Sequence, residues 1–293
     1  MSSIPVAVIG AGRWGRNLIR NLQQSSQFDL KAVHDLNPAQ LQNLSVRRVA
    51  DVDELLRGQD IEAVVIATPP GIHAPLVQDF LSHGKHVLCE KPLALSATAC
   101  RELFELAQSR KRCLMVDCTP VYLEEIQTAR THIAWEQVDS IRCVRTSKSV
   151  PLSMEELLWD LAPHDLAILR AWLGDLKGSW TVETLASEFV VLQGICPGKP
   201  RISLELGTSD QPRREITLTG NLPSTTYQQR QSQPEPLQVV IEQFAQCIRD
   251  GTSPQTDAAG ALEAALILEE ICNDNLFRRT HQESARLAAR SIP

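Results

Sequence analysis

At 293 residues the chain is long enough for two domains of roughly 150 residues each, which excludes a peptide-sized or staple-dependent fold. Apolar residues make up 43% and charged residues 22%, the profile of a globular protein whose fold comes from a packed core. Lys and Arg number 29 against 35 Asp and Glu, a net charge of −6 with no long basic block, so nucleic acid is not an expected partner.

Ile4 to Ile9 lacks a basic flank and is too short for a signal-peptide core, and no run approaches the ~20 apolar residues that span a bilayer. A cytoplasmic protein with no membrane partner is expected. The eight cysteines form no C-x-x-C pair, which implies reduced, mostly buried thiols. His83, His86 and Cys89 have a superficially metal-like spacing, but Gly84 ends a helix between them, and no metal site is expected.

From residue 4 to about 119, short apolar runs alternate with helical patterns, the signature of a parallel sheet covered by helices. Val6 to Ile9 reads as a strand, Trp14, Leu18, Ile19 and Leu22 as one helical face, and Leu30 to His34 as the next strand. Val46 to Val49 follows as a strand; Asp51 and Glu54 then make a capping-box-like helix start, and Gly58 a helix end. Ala63 to Ala67 suits a strand buried on both faces. Leu76, Val77, Phe80 and Leu81 line a helix before Gly84, Val87 to Cys89 is a fifth strand, Ser96 caps a further helix, and Leu114 to Val116 is a sixth.

After residue 120 the pattern changes. A helix near Tyr122 to Arg130 and a strand near Ile141 to Thr146 precede a helix from about Asp160 to Trp172, closed by Gly174. Trp180 to Leu185, Phe189 to Leu192, Ile202 to Leu206 and Glu215 to Leu218 are short strands of an antiparallel sheet. Two helices follow, one through Val239, Val240, Phe244 and Ile248 and one through Leu262, Leu266 and Ile267. The expected architecture is α/β: a Rossmann doubly wound parallel sheet over 1–119, then an α+β domain on a mainly antiparallel sheet over 120–293.

Gly10-Ala11-Gly12-Arg13-Trp14-Gly15 follows a strand and opens a helix, the context in which G-x-G-x-x-G binds a dinucleotide. The first glycine permits the tight turn, the second lets pyrophosphate approach the backbone, and the third lets helix and strand pack closely. Free N–H groups at the helix start favour the phosphate charge. Asp35, twenty residues after Gly15, is placed to accept hydrogen bonds from both ribose hydroxyls. It would repel a 2′-phosphate, and Leu36, Asn37 and Pro38 supply no offsetting arginine, so NAD is expected rather than NADP.

Two further stretches, Ala67-Thr68-Pro69-Pro70-Gly71-Ile72-His73 and Gly84 to Glu90-Lys91-Pro92, together with Trp159-Asp160-Leu161-Ala162-Pro163-His164-Asp165-Leu166, resemble the motifs of the Gfo/Idh/MocA oxidoreductases. Pro236-Leu237 through Phe244, with Gly251, Pro254 and Asp257, is similar to that family's C-terminal signature. The resemblance implies a cofactor cleft of Gly10, Gly12, Arg13, Trp14, Gly15, Asp35, Thr68, Pro69, His73, Glu90 and Lys91. It further implies hydride transfer at a secondary alcohol of a sugar, sugar acid, nucleotide sugar or cyclitol, and a homodimer or homotetramer. The Trp159 to Leu166 form, with Gln211 to Thr217, looks most like the nucleotide-sugar and sugar-acid branch. Residues 178–236 leave less room for sheet than usual members have.

Oxidising an alcohol requires a base near neutrality within reach of the hydroxyl, for which His164 is the candidate. Asp160, four residues earlier, shares its helical face and orients the imidazole or holds a substrate hydroxyl. Lys91 is placed to stabilise developing alkoxide charge. Pro163 argues for a helix start near Asp160, which leaves open a plain reading with Asp160 as N-cap and His164 as a buried structural histidine. His73 stands either beside the nicotinamide or merely in a loop. Arg142, Arg145, Lys148, Arg213 and Arg214 either meet an anionic sugar or are solvated strand charges. Two other functions stay open: a non-catalytic NAD-binding sensor or scaffold, and a reductase of an imine or conjugated double bond.

Overall fold

The computed structural model describes residues 2–148, 153–186, 188–228 and 235–273, arranged in two compact units. Residues 1–122 and 231–262 make the first, and 123–230 with 263–293 the second. A division in chain order at 119/120 would put 231–262 with the second; residues 274–293 lie outside the described residues.

Six strands form the first sheet: β1 (Ile4–Ile9), β2 (Phe28–His34), β3 (Arg47–Val49), β4 (Ala63–Ile66), β5 (His86–Glu90) and β6 (Leu114–Asp117). Every pairing is parallel, in the order β3-β2-β1-β4-β5-β6. The continuous apolar runs of β1, β4 and β5 are buried because helices cover both faces of such a sheet. Those helices are α1 (Arg13–Gln24), α2 (Val52–Arg57), α3 (His73–Ser82) and α4 (Ala97–Arg110). Asp51 does cap α2, but its side chain accepts from the Asp53 amide and not from that of Glu54. Chain order reverses between β1 and β4, so their carboxyl ends open a crevice of the kind in which doubly wound folds bind ligands.

The second unit begins with α5 (Glu124–His132), β7 (Val138–Ser147) and α6 (Met154–Leu173), followed by β8 (Ser179–Ala186), β9 (Phe189–Ile195), β10 (Arg201–Thr208), β11 (Arg214–Gly220) and β12 (Thr225–Gln228). The sheet order is β12-β11-β7-β10-β9-β8, antiparallel except where β7 runs parallel to β10. Six strands stand here, and β12 has too little apolar patterning to be read from sequence.

The start of α6 corrects the sequence reading. The helix begins at Met154, Ser153 is its N-cap through a 3.0 Å bond from the Glu156 amide, and Pro163 lies in its interior. Proline removes one amide from the ladder, yet Leu157, Leu158, Trp159, Leu161 and Ala162 are all buried, and that burial outweighs the loss. Asp160 is therefore mid-helix and is not its N-cap.

The chain then returns to the first unit. Along α7 (Pro236–Asp250), Phe244 stacks on Phe28 with ring centroids 5.8 Å apart, and Glu235 just before it pairs with Arg20 at 2.8 Å. The Tyr122 hydroxyl meets Gln243 at 2.5 Å and Thr256 at 3.0 Å, and the Val116 amide donates to the Thr256 carbonyl at 2.8 Å. After Thr256 comes α8 (Ala258–Asn273). All eight cysteines are free thiols, six of them buried. No helix among the described residues is long and apolar enough to cross a membrane.

Candidate active site

At the carboxyl end of β1 the three motif glycines answer to different constraints. Gly10 has φ +95°, and a Cβ there would stand 2.5 Å from the Ala67 carbonyl; one on Gly15 would stand 2.1 Å from the Gly10 carbonyl. Both are fixed by the fold. A Cβ on Gly12 would meet nothing within 4 Å, so the protein leaves that space open. Gly12 is also the N-cap of α1 and makes no side-chain cap, which leaves backbone amides for an anion. Arg13 and Trp14 are exposed beside this cradle.

Asp35, just past β2, is held by two backbone amides: Oδ2 accepts from Ala11 at 2.7 Å and Oδ1 from Asn37 at 2.8 Å. The carboxylate that would read the ribose is thereby tied to the phosphate loop. Thr68, after β4, keeps a buried hydroxyl with no hydrogen-bond partner, and Pro69 is exposed at the loop crest. An open cradle, unspent helix amides and an orphaned hydroxyl along the crevice edge fit a dinucleotide.

His73 is the first residue of α3. Its ring is completely buried, with Nδ1 2.8 Å from the Pro92 carbonyl and Nε2 2.7 Å from the Thr68 carbonyl. Burial lowers its pKa, and it acts as a strut joining the loops after β4 and β5. Glu90 ends β5, buried, with Oε2 accepting the Lys91 amide at 3.2 Å; Lys91 is half-buried and precedes a cis bond to Pro92. His83 and His86 serve locally: His83 Nδ1 bonds the Asp79 carbonyl at 2.8 Å, and His86 Nδ1 accepts the Cys113 amide at 2.9 Å. Among the described residues no cluster of His, Cys, Asp and Glu could hold a metal ion.

In the second unit Asp160 is exposed on α6 and His164 lies one turn on, half-buried. Neither charge assignment foreseen for Arg145 holds. It forms a two-pronged ion pair with Asp165, at 2.9 and 2.7 Å, with both side chains almost completely buried. Arg214 lies in the same electrostatic neighbourhood: burial and the Arg145 charge push its pKa down, while Asp165 and Asp160 oppose them. Arg142 pairs with Glu205 at 2.5 Å and Arg213 with Glu215 at 2.6 Å; Lys148 is exposed.

Residues 4–118 match the family model described as "Oxidoreductase family, NAD-binding Rossmann fold". This stretch matches the Gfo/Idh/MocA family model. The Gfo/Idh/MocA match extends to curated relatives: mouse (Mus musculus) biliverdin reductase A is 33% identical over 135 residues, 45% of each chain. Inositol 2-dehydrogenase of Burkholderia cenocepacia is 28% identical over 186 residues, 59% of this chain and 55% of that one. The chain thus spans about half the length of these relatives. Among solved structures, UDP-N-acetylglucosamine 3-dehydrogenase from Acidithiobacillus ferrooxidans superposes with a TM-score of 0.81 at 20% identity, covering 94% of this chain and 99% of that one. Scyllo-inositol dehydrogenase from Lactobacillus casei, with bound NAD(H) and scyllo-inositol, gives 0.81 at 17% identity over 92% and 95%. At such identity the structures establish the Rossmann-plus-mixed-sheet fold.

Two carboxylates went unremarked in the sequence. Asp165 was available as an acid at i+5 from Asp160, but its partner on β7 is visible only in the folded register. Asp117, last in β6, faces Glu90 across the sheet, and a charged residue ending an apolar run was the one signal for it.

Proposed function

We propose that the protein is an NAD-dependent dehydrogenase that moves a hydride between nicotinamide and a secondary alcohol or ketone of a sugar, sugar acid, nucleotide sugar or cyclitol. The observation that carries this reading is the place of Lys91: it follows the carboxyl end of β5, on the sheet edge that also carries the glycine loop after β1 and Thr68 after β4. When bound, NAD supplies the hydride acceptor or donor. Gly12 and the start of α1 take the pyrophosphate, Asp35 the adenosine ribose, and Thr68 Oγ1 a polar group of the cofactor. The Lys91 ammonium stabilises negative charge developing on the substrate oxygen, His164 takes the hydroxyl proton, and Asp160 orients the imidazole or holds a neighbouring hydroxyl. Inositol and nucleotide-sugar dehydrogenases among the relatives and structural neighbours support a polyhydroxylated substrate. A small-molecule substrate, a cytoplasmic location and a homodimer or homotetramer complete this reading.

The test follows NADH absorbance with a panel of inositols, hexoses, sugar acids and UDP-N-acetylhexosamines. Turnover of at least one is expected, with Lys91→Ala and His164→Ala each lowering it about 10²-fold or more, and with NADH affinity nearly intact in His164→Ala. Tight NADH binding with no turnover across the panel overturns the dehydrogenase and leaves a sensor. A second reading, reduction of a conjugated double bond, draws on the biliverdin reductase relative. It predicts NADH oxidation by a linear tetrapyrrole, unaffected by His164→Ala.

A further inference from the structure

Strands β5 and β6 pair Glu90 directly with Asp117, and in a parallel ladder paired residues point to the same face. Both are buried, 9% and 2% exposed. One oxygen of each is accounted for: Glu90 Oε2 accepts the Lys91 amide at 3.2 Å, and Asp117 Oδ1 accepts the Thr119 hydroxyl at 2.6 Å. The other two, Glu90 Oε1 and Asp117 Oδ2, are buried with no donor. Two ionised carboxylates facing each other out of water repel, and each lacks a donor that the other cannot supply while both are charged. One proton removes both penalties, because it turns one acid into a donor to the other.

We propose that Glu90 and Asp117 share a single proton, and that Asp117 is thereby a positioning residue which, through Glu90, sets the charge and orientation presented to Lys91. The shared proton stands on geometry alone; the consequence for Lys91 rests on the dehydrogenase reading above. Burial and the Asp117 charge push the Glu90 carboxyl well above the usual range, while burial raises Asp117 against the opposing bonds from Thr119 and Glu90, so of the two Glu90 is the better holder of the shared proton. The titratable groups around the pair are Cys89 on β5, Cys100 on α4 beyond it, Cys118 and Tyr122 after β6, and Lys91. Burial raises the Cys89 thiol and the Tyr122 phenol, so both are neutral alongside the pair. The couple then carries one negative charge beside the Lys91 ammonium instead of two, and its second ionisation changes the field at that ammonium.

Infrared spectroscopy of the full-length protein, with carbon-13 glutamate or aspartate for assignment, reads the proton without substrate. The wild type is expected to show a protonated carboxylic-acid carbonyl band at neutral pH that disappears on alkaline titration. Asp117→Asn and Glu90→Gln, near-isosteric replacements, are each expected to lose it, since the surviving acid then ionises against an amide donor. No such band in the wild type, or one that persists in both variants, overturns the shared proton. The second readout is NADH affinity against pH, by nicotinamide fluorescence: the wild type is expected to change across the pair's titration, and Asp117→Asn to move that midpoint by about one pH unit or more. Identical profiles, or a flat wild-type profile, overturn the positioning role. Neither readout needs turnover, so failure of the sugar panel and failure of this proposal appear in different measurements.

Discussion

The two units hold their chemistry by different means. In the first, the candidate side chains are gripped by main chain: Asp35 by the Ala11 and Asn37 amides, His73 by the Pro92 and Thr68 carbonyls, Glu90 by the Lys91 amide. In the second, the strongest grip near Asp160 and His164 is between side chains, the buried Arg145–Asp165 pair joining β7 to α6. Main-chain partners are supplied by loop shape, so such a site tolerates change in its neighbours; a buried ion pair fails whole when either member is lost.

The largest effect expected follows from that contrast. Asp165→Ala, which strands the buried guanidinium, should cost about 3–5 kcal/mol in urea denaturation, and Arg145→Met combined with Asp165→Leu less than either change alone. A near-neutral Asp165→Ala breaks the comparison. In the first unit, Gly10→Ala places a methyl 2.5 Å from a carbonyl at positive φ and should lower the melting temperature or abolish folding, while Gly12→Ala should melt as wild type. The same Gly12→Ala should weaken NADH about tenfold or more by fluorescence titration, a separation of fold from binding that only the open cradle predicts.

A smaller effect depends on pH. His86 is buried, its pKa is lowered to about 4 by burial and then by Arg112, and its Nδ1 must remain unprotonated to accept the Cys113 amide. Between about pH 6.5 and 4 the unfolded chain therefore binds more protons here than the folded one, and stability falls as pH is lowered through that window, by on the order of 2 kcal/mol. Urea midpoints at pH 7 and 4.5, compared between wild type and His86→Asn, isolate this contribution; an equal loss in both removes it. Smallest is Ser153→Ala, which should cost about 1 kcal/mol as the cap of α6 is lost, more than Asp160→Ala inside the helix. The reverse order would return the helix start to Asp160.

The same division explains what could be read from residues alone. Strand runs, Gly10 to Gly15 and Asp35 are local patterns, and the first sheet follows them nearly residue for residue. Missed features depend on partners far along the chain. Pro163 pointed to a helix start because local backbone cost is visible in sequence, whereas the burial of Leu157, Leu158 and Trp159 that overrides it is not. Arg145 read as either a sugar contact or a solvated charge until β7 took its place between β11 and β10, and the two carbonyls that meet the His73 ring come from loops no local pattern joins.

The first unit is also discontinuous, and that has a consequence for the order in which the protein can be built. As the nascent polypeptide leaves the ribosome, β1 to β6 emerge well before Phe244, Gln243 and Thr256, on which Phe28, Tyr122 and Val116 close. The nucleotide-binding layer waits for its last piece while residues 123–230 are translated, so its apolar seat for α7 stays uncovered over that interval.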